Sequence, residues 1–129
     1  MAKRVPPRPT NAELEILRVL WQRGRSTVRQ IHESLRRAEP VGYTTILKLL
    51  QIMTEKRLVT RNKSARSHVY AAATSQATML RRMISDLARR AFDGSTVSLV
   101  LHALATTPVT SRELDRIRGL LDEKKGGKA

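Results

Sequence analysis

Cysteine is absent from this sequence, and aromatic residues are scarce. Without a thiol, the chain can form no disulfide, no thiolate metal site and no cysteine nucleophile. One Trp, two Tyr and one Phe are too few to predict single-strand binding by base stacking. No apolar run approaches the ~20 residues that span a bilayer, and no apolar segment follows the charged first residues. We therefore expect a soluble, cytoplasmic protein.

The motifs of common enzymes are missing as well. The chain has no glycine-rich phosphate-binding loop and no G-x-S-x-G turn. Its three histidines, His32, His68 and His102, stand far apart and lack the spacing of metal ligands. The few carboxylates mostly fit helix caps and helix surfaces. We therefore predict no catalytic residue, no metal site and no cofactor, and we expect that the protein is not an enzyme.

Charge is the most distinctive property of the whole chain. It has 25 basic and 11 acidic residues, which gives a formal net charge of +14. Up to Ala73 there are 15 basic and 5 acidic residues, and the remainder has 10 basic and 6 acidic residues. The positive excess is thus concentrated in the first half, which favours a polyanionic partner for that half. RNA-binding, ribosomal and membrane-surface proteins can share this balance, so charge alone indicates only a class.

Two helix starts can be read from the first half of the chain. Thr10 and Glu13 have the spacing of a capping box, and an apolar stripe at helical spacing follows until Gly24. Thr27 and Gln30 repeat that pattern and predict a second helix. Pro40 and Gly42 then break the chain, so the second helix must end before them.

A third helix and a hairpin complete the first half. The third helix is predicted from about Tyr43 to Lys56, with apolar residues at i, i+4 and i+7. The β-prone segments Leu58–Arg61 and Ser67–Ala71 flank a polar, basic turn and predict a hairpin. Three helices followed by a hairpin are typical of the winged helix-turn-helix. The fold class is therefore mainly α with a small β-hairpin wing.

Three further helices are predicted in the second half, from about residue 75 onward. They are short and apolar, and a module of this size buries too little surface to be stable alone. We expect two copies to share one core as a homodimer, the alternative being a monomer whose helices fold back on the first half. The predicted dimer-interface residues are Leu80, Ile84, Leu87, Val97, Val100, Leu101, Leu104, Leu114, Ile117 and Leu121. The predicted organisation is a flexible basic tail (1–9), a winged-helix domain (10–73), a helical dimerisation domain (74–124) and a frayed tail (125–129).

The third helix is the predicted recognition helix, because such helices reach base edges with their N-terminal residues. Its candidate base-contacting residues are Tyr43, Thr44, Leu47, Lys48 and Gln51. The candidate backbone-contacting residues are Thr45 at the helix start and Lys63 and Arg66 at the hairpin tip. Alternatively, this helix is an ordinary solvated helix and the tip is a mobile basic turn. The agreement between the helices and the hairpin favours double-stranded DNA as the partner.

Several segments, taken in order, carry a likeness to a known family. They are Pro9–Leu17 with Leu20–Trp21, Gly42–Ile46, Lys56–Val59, Arg66 with Tyr70, Ser98–Leu101 and Glu113–Leu114. Together they resemble the penicillinase repressor (BlaI/MecI) family of bacterial regulators over roughly residues 9 to 124. The resemblance implies a winged-helix domain, a C-terminal helical dimerisation domain and repression of an operon through a palindromic operator.

The resemblance also implies a partner, a membrane-bound sensor protease that responds to a β-lactam and triggers cleavage of the repressor. In the family this cut falls at an Asn-Phe bond, where the present chain has His102 and Ala103. Copper-responsive relatives carry a C-terminal cysteine cluster, which is absent here. Two readings from other classes remain: a non-specific, nucleoid-type nucleic-acid-binding protein and a helical interaction or adaptor protein.

Overall fold

The computed structural model describes residues 8–35, 41–64 and 66–127. In order, the elements are α1 (Asn11–Arg23), β1 (Ser26–Thr27), α2 (Val28–Leu35), α3 (Tyr43–Glu55), β2 (Val59–Asn62), β3 (Val69–Ala72), α4 (Gln76–Ala91), α5 (Thr96–Thr106) and α6 (Ser111–Gly127). The described residues up to Arg81 form one compact unit, and those from Arg82 form a second. Most of the predicted basic tail, the predicted break at Pro40, residue 65 of the wing tip and the end of the predicted frayed tail lie outside the described residues.

Three capping boxes fix helix starts as the spacing predicts. In each, a threonine hydroxyl accepts a hydrogen bond from a backbone N–H three residues later, and that residue's side chain accepts one from the threonine N–H. The donor–acceptor distances lie between 2.9 and 3.2 Å. The pairs are Thr10 with Glu13, Thr27 with Gln30, and Thr110 with Glu113. These bonds satisfy backbone donors that a helix start leaves without a partner.

The first unit has one hydrophobic core, to which α1, α2, α3 and the sheet all contribute. Its fully or nearly fully buried apolar side chains are Ile16, Leu17, Leu20, Ile31, Ile46, Leu50, Met53, Leu58, Val59 and Tyr70. The set includes the whole stripe predicted for the third helix. Trp21 Nε1 also donates a hydrogen bond of 2.9 Å to the Thr74 carbonyl oxygen, which ties α1 to the chain beyond β3. Burial of one face of α3 leaves the opposite face to solvent.

The predicted hairpin is present, but it belongs to a sheet of three strands. The strand order is β1-β3-β2, and both pairings are antiparallel. Tyr70 of β3 stands between Ser26 of β1 and Arg61 of β2. The strand β1 was not predicted from the sequence, because two residues are too few to show the alternation that identifies a strand. With β1 included, the fold is a winged helix, mainly α with a small antiparallel sheet.

A tight turn connects α3 to β2 and so sets the wing relative to α3. Leu58 N donates to the Met53 carbonyl oxygen at 2.9 Å, and Arg57 N donates to the Thr54 carbonyl oxygen at 3.1 Å. These two bonds form a Schellman motif, whose left-handed position is usually glycine. Here Arg57 occupies that position with a φ of +67°. Leu58 and Met53 occupy the two positions between which a hydrophobic contact commonly accompanies the motif, and both are buried.

The second unit contains two helices that bury none of their residues, α5 and α6. The helix α6 continues to Gly127, so the prediction of a frayed tail from residue 125 is wrong as far as that residue. Lys124 and Lys125 lie in its last turn, where positive charge is favourable at the helix C-terminus. Within the part of the chain that the structure describes, no helix is both long enough and apolar enough to cross a membrane.

Candidate nucleic-acid interface

The outward face of α3 collects most of the residues predicted to contact bases. Thr44, Leu47, Lys48 and Gln51 follow one another at i, i+3, i+4 and i+7, so they share one face of the helix. Three of them are exposed, while Leu47, which was expected to be exposed, is half-buried. Tyr43 stands beside this row as the first residue of α3 and is 48% exposed. The opposite face is fully buried, so α3 has one face committed to the core and one free.

The start of α3 differs from the starts of the capped helices. Gly42 is its N-cap residue, and no side chain makes a capping hydrogen bond there. Thr44 and Thr45 lie in the first turn and are exposed. The first turn of α3 therefore contains no acidic side chain, and no capping side chain bonds to its backbone N–H groups. Such a helix start suits a phosphate oxygen.

The wing tip presents basic side chains on a hydrogen-bonded turn. Asn62 Oδ1 accepts hydrogen bonds from Ser64 N at 2.9 Å and from Ser64 Oγ at 2.6 Å. Lys63 lies inside this turn and Arg66 follows it, and both are exposed. The chain therefore turns at Lys63, and Arg66 follows the turn. Both residues were predicted to contact the DNA backbone.

Two side-chain contacts fix α2 against its neighbours. Arg23 Nη1, at the end of α1, donates to the Gln30 carbonyl oxygen at 3.1 Å and to Ser34 Oγ at 2.9 Å. His32 of α2 meets Tyr43 of α3 edge to face, with ring centroids 6.1 Å apart and ring planes at 76°. The second contact therefore links α2 to Tyr43, a candidate base-contacting residue.

An ion pair fixes the other end of α3. Lys56 Nζ, just after the helix, donates to Glu13 Oε1 at 2.8 Å, and the same oxygen accepts a hydrogen bond from Thr10 N at 2.9 Å. Burial alone would raise the pKa of Glu13, but the bonds from Lys56 and Thr10 outweigh it and the pKa is lowered. The sequence predicted Glu13 only as a cap. It gives no signal for the ion pair, because the partners lie 43 positions apart.

Large apolar side chains are exposed on α4, α5 and α6, at the positions predicted to form a dimer interface. On α4 the exposed stripe is Leu80, Ile84 and Leu87 at i, i+4 and i+7. Five other predicted positions, on α5 and α6, are 41 to 67% exposed: Val97, Val100, Leu101, Leu114 and Leu121. The remaining two, Leu104 and Ile117, are half-buried. Leu120 is also 53% exposed and was left out of the predicted interface set.

The histidines do not gather into a metal site. His32 contacts Tyr43, and His102 of α5 lies 5.9 Å from the ring of Phe92. Among residues 8–35, 41–64 and 66–127, no three His, Asp or Glu side chains come together in a way that could hold a metal ion. His102 and Ala103, where the resemblance would put the family's cleavage site, lie inside α5. The sensor protease that the resemblance implies stays a prediction.

Comparison with known proteins places this geometry in context. The penicillinase repressor family matches residues 9–123. The transcriptional regulator BlaI of Mycobacterium tuberculosis (strains CDC 1551 / Oshkosh and ATCC 25618 / H37Rv) is 31% identical over 117 residues, which cover 89% of this chain and 83% of that protein. The penicillinase repressor of Bacillus licheniformis is 22% identical over 122 residues, 95% of each chain.

A solved structure is also similar to the present fold. The solution structure of the DNA-binding domain of the repressor BlaI superimposes with a TM-score of 0.51 and 21% identity. The match covers 58% of this chain and 92% of that one. At this level of identity the likeness is evidence for the winged-helix fold alone.

Proposed function

The chain belongs to the penicillinase repressor family, whose members are transcriptional repressors and not enzymes, and we propose that it represses transcription as a homodimer bound to a two-fold symmetric operator. In this proposal α3 lies in the major groove of double-stranded DNA, and the wing contacts the sugar-phosphate backbone. The protein acts in the cytoplasm, with DNA and a second copy of itself as partners.

The observation that carries the DNA-binding part is the division of α3 into a buried and an exposed face. From Thr44 to Gln51 the row spans about 10 Å along the helix axis, at 1.5 Å per residue, which is long enough to face several base edges in the major groove, a groove wide enough to admit an α-helix. Lys48 has the donors that match the two acceptors of a guanine edge, and the Gln51 amide has the donor and the acceptor that match an adenine edge. Leu47 offers an apolar contact for a thymine methyl group. The row is therefore suited to reading sequence as well as to binding phosphate.

The exposed apolar residues of the second half support the proposed homodimer. Burying one leucine or valine side chain that would otherwise be exposed stabilises a protein by about 1.5–3 kcal/mol. Val97 and Leu101 of α5 are 67% and 61% exposed, and Leu120 and Leu121 of α6 are each 53% exposed. A second copy offers the same apolar residues, and a two-fold arrangement lets each copy bury them against the other. Two recognition helices then face successive major grooves.

Selection of genomic fragments tests the proposal. The purified chain is mixed with fragments of its source genome at about 150 mM salt, where non-specific binding is weakened, and the retained fragments are sequenced. We expect a few promoters that share a two-fold symmetric motif. Uniform retention would instead indicate a non-specific, nucleoid-type protein, and no retention would favour an interaction or adaptor protein.

Two variants test whether the side chains of α3 select the fragments. The double variant Lys48→Ala/Gln51→Ala removes two donors from the exposed row of α3 and should abolish the enrichment of the motif. Arg18→Ala serves as the matched control, because Arg18 is an exposed basic residue of α1 in the same unit but outside the proposed interface. It should keep the enrichment. Equal loss in both variants would mean that charge alone, and not base reading by α3, retains the fragments.

A further inference from the structure

The ring of Tyr43 is held by one specific aromatic contact. Tyr43 begins α3, and about half of its surface is exposed. His32 is half-buried on α2 and meets the tyrosine edge to face, at a centroid separation of 6.1 Å. Edge-to-face pairs at this separation are attractive, because the positive edge of one ring faces the negative face of the other.

This contact lies at a helix start that has no side-chain cap. The helices α1, α2 and α6 begin with a reciprocal capping box, whereas Gly42 supplies no side chain to cap α3. An uncapped helix start frays more readily, since its first N–H groups have no partner. A side chain at this position, exposed on one side, would otherwise exchange between rotamers and lose entropy when it binds.

We propose that His32 is a positioning residue for DNA recognition: its imidazole ring holds Tyr43 in the orientation in which Tyr43 contacts the operator. The inference rests on the proposed function. It adds a residue of α2 to a recognition surface that was otherwise formed by α3 and the wing. His32 itself touches no DNA in this arrangement. Its effect reaches the operator through the tyrosine ring.

The size of the effect follows from the contact. An edge-to-face pair contributes enough to change an equilibrium about two- to tenfold beyond its buried area. Removing the imidazole should therefore weaken binding to a selected operator by about that factor. Binding to random duplex should change less, because non-specific binding depends mainly on phosphate contacts.

The test compares His32→Leu with His32→Phe in the full chain, by titration of a fluorescent operator fragment and a random duplex of equal length. Leucine is similar in size to histidine but has no ring, so it should weaken operator binding about two- to tenfold. Phenylalanine restores a ring edge and should recover most of the affinity. In a Tyr43→Leu background, His32→Leu should cause no further loss, because the two residues act through one contact.

Thermal unfolding of each variant separates positioning from folding. If leucine at this half-buried position lowers the melting temperature, His32→Gln, which is polar and has no ring, replaces it in the same comparison. The inference is overturned if both ring-free variants bind the operator as the wild type does, if His32→Phe is as weak as they are, or if the loss persists in the Tyr43→Leu background. A wild-type chain that binds no DNA would instead refute the proposed function, and the positioning role with it.

Discussion

Glu13 holds a negative charge in the core of the first unit, where its side chain is only 3% exposed. A buried carboxylate is costly unless it is paired and hydrogen-bonded. Lys56 and the backbone N–H of Thr10 satisfy this one by donating to the same carboxylate oxygen. Because Thr10 and Glu13 start α1 while Lys56 follows α3, this cluster ties the first helix to the helix that we propose to lie in the major groove.

Replacing Glu13 by glutamine should therefore destabilise the fold by about 1–3 kcal/mol at neutral pH, because hydrogen bonds to a charged group are lost. The pKa of Glu13 is lowered in the folded chain, so its stabilising effect is complete above the unfolded pKa of about 4.3 and is lost as the pH falls through the folded value. Urea unfolding at a series of pH values should show the difference between wild type and Glu13→Gln shrinking in acid.

Glu113→Gln is the matched control for this experiment. Glu113 forms the same capping box with Thr110, but the structure gives it no lysine partner and it is exposed. The control should change stability less than Glu13→Gln does. A difference at Glu13 that stays constant from neutral to acid pH would contradict the role assigned to its charge.

Arg57 has a backbone conformation that side chains other than glycine rarely adopt. Its φ of +67° is required by the Schellman motif that ends α3, and its side chain is exposed. Arg57→Gly should remove this strain and stabilise the chain by up to about 1 kcal/mol, measured by chemical unfolding. Arg57→Ala removes the same charge but keeps the Cβ atom, so it should give no such gain. An alanine variant more stable than the glycine variant would contradict this account.

At the scale of elements, α3 contributes one face to the core and presents the other for the proposed contact with DNA. The sequence predicted its bounds to within one residue and its buried stripe, because a helix of 13 residues shows a full apolar period. Of the row predicted to be exposed, Leu47 is half-buried. The same reasoning could not find β1, since a two-residue strand exists only through its pairing with β3. Nor could it find the contact between His32 and Tyr43, which depends on how α2 packs against α3.

Lys48 should discriminate between sequences if it reads a base. Lys48→Ala is expected to weaken binding to the selected operator by about 1–3 kcal/mol and to affect random duplex much less. Lys63→Ala in the wing is the matched control, because it removes the same charge at a proposed phosphate contact. It should weaken both duplexes equally and reduce the salt slope by about one. Equal loss on both duplexes for Lys48→Ala would make Lys48 a phosphate contact instead.

For the whole molecule, the sequence predicted DNA binding by the first half and dimerisation by the second half. The net charge of +14 is concentrated in the first half, and exposed apolar side chains are concentrated on α4, α5 and α6. The exposure of the predicted interface positions could be anticipated, because the helices are too short to bury them alone. Which atoms of two copies meet could not, since an interface is a property of the pair and not of one chain.

A charge in the apolar surface should separate the copies. Leu101→Glu places a carboxylate at a position of α5 that we propose to be buried in the homodimer, where an unpaired charge is strongly unfavourable. Sedimentation equilibrium should give the mass of a dimer for the wild type and of a monomer for the variant. Arg112→Glu, at an exposed polar position on another face of α6, should remain a dimer. A wild-type chain that sediments as a monomer at micromolar concentration would contradict the proposal.

The most direct measurement is the affinity for a selected operator before and after its two half-sites are moved apart by about half a helical turn, or roughly 5 base pairs. A homodimer that reads two half-sites with its two α3 helices should lose most of its specific affinity, because the second half-site then lies on the opposite side of the duplex. Undiminished affinity for the altered site would contradict the account, since the chain would then bind without two-fold recognition.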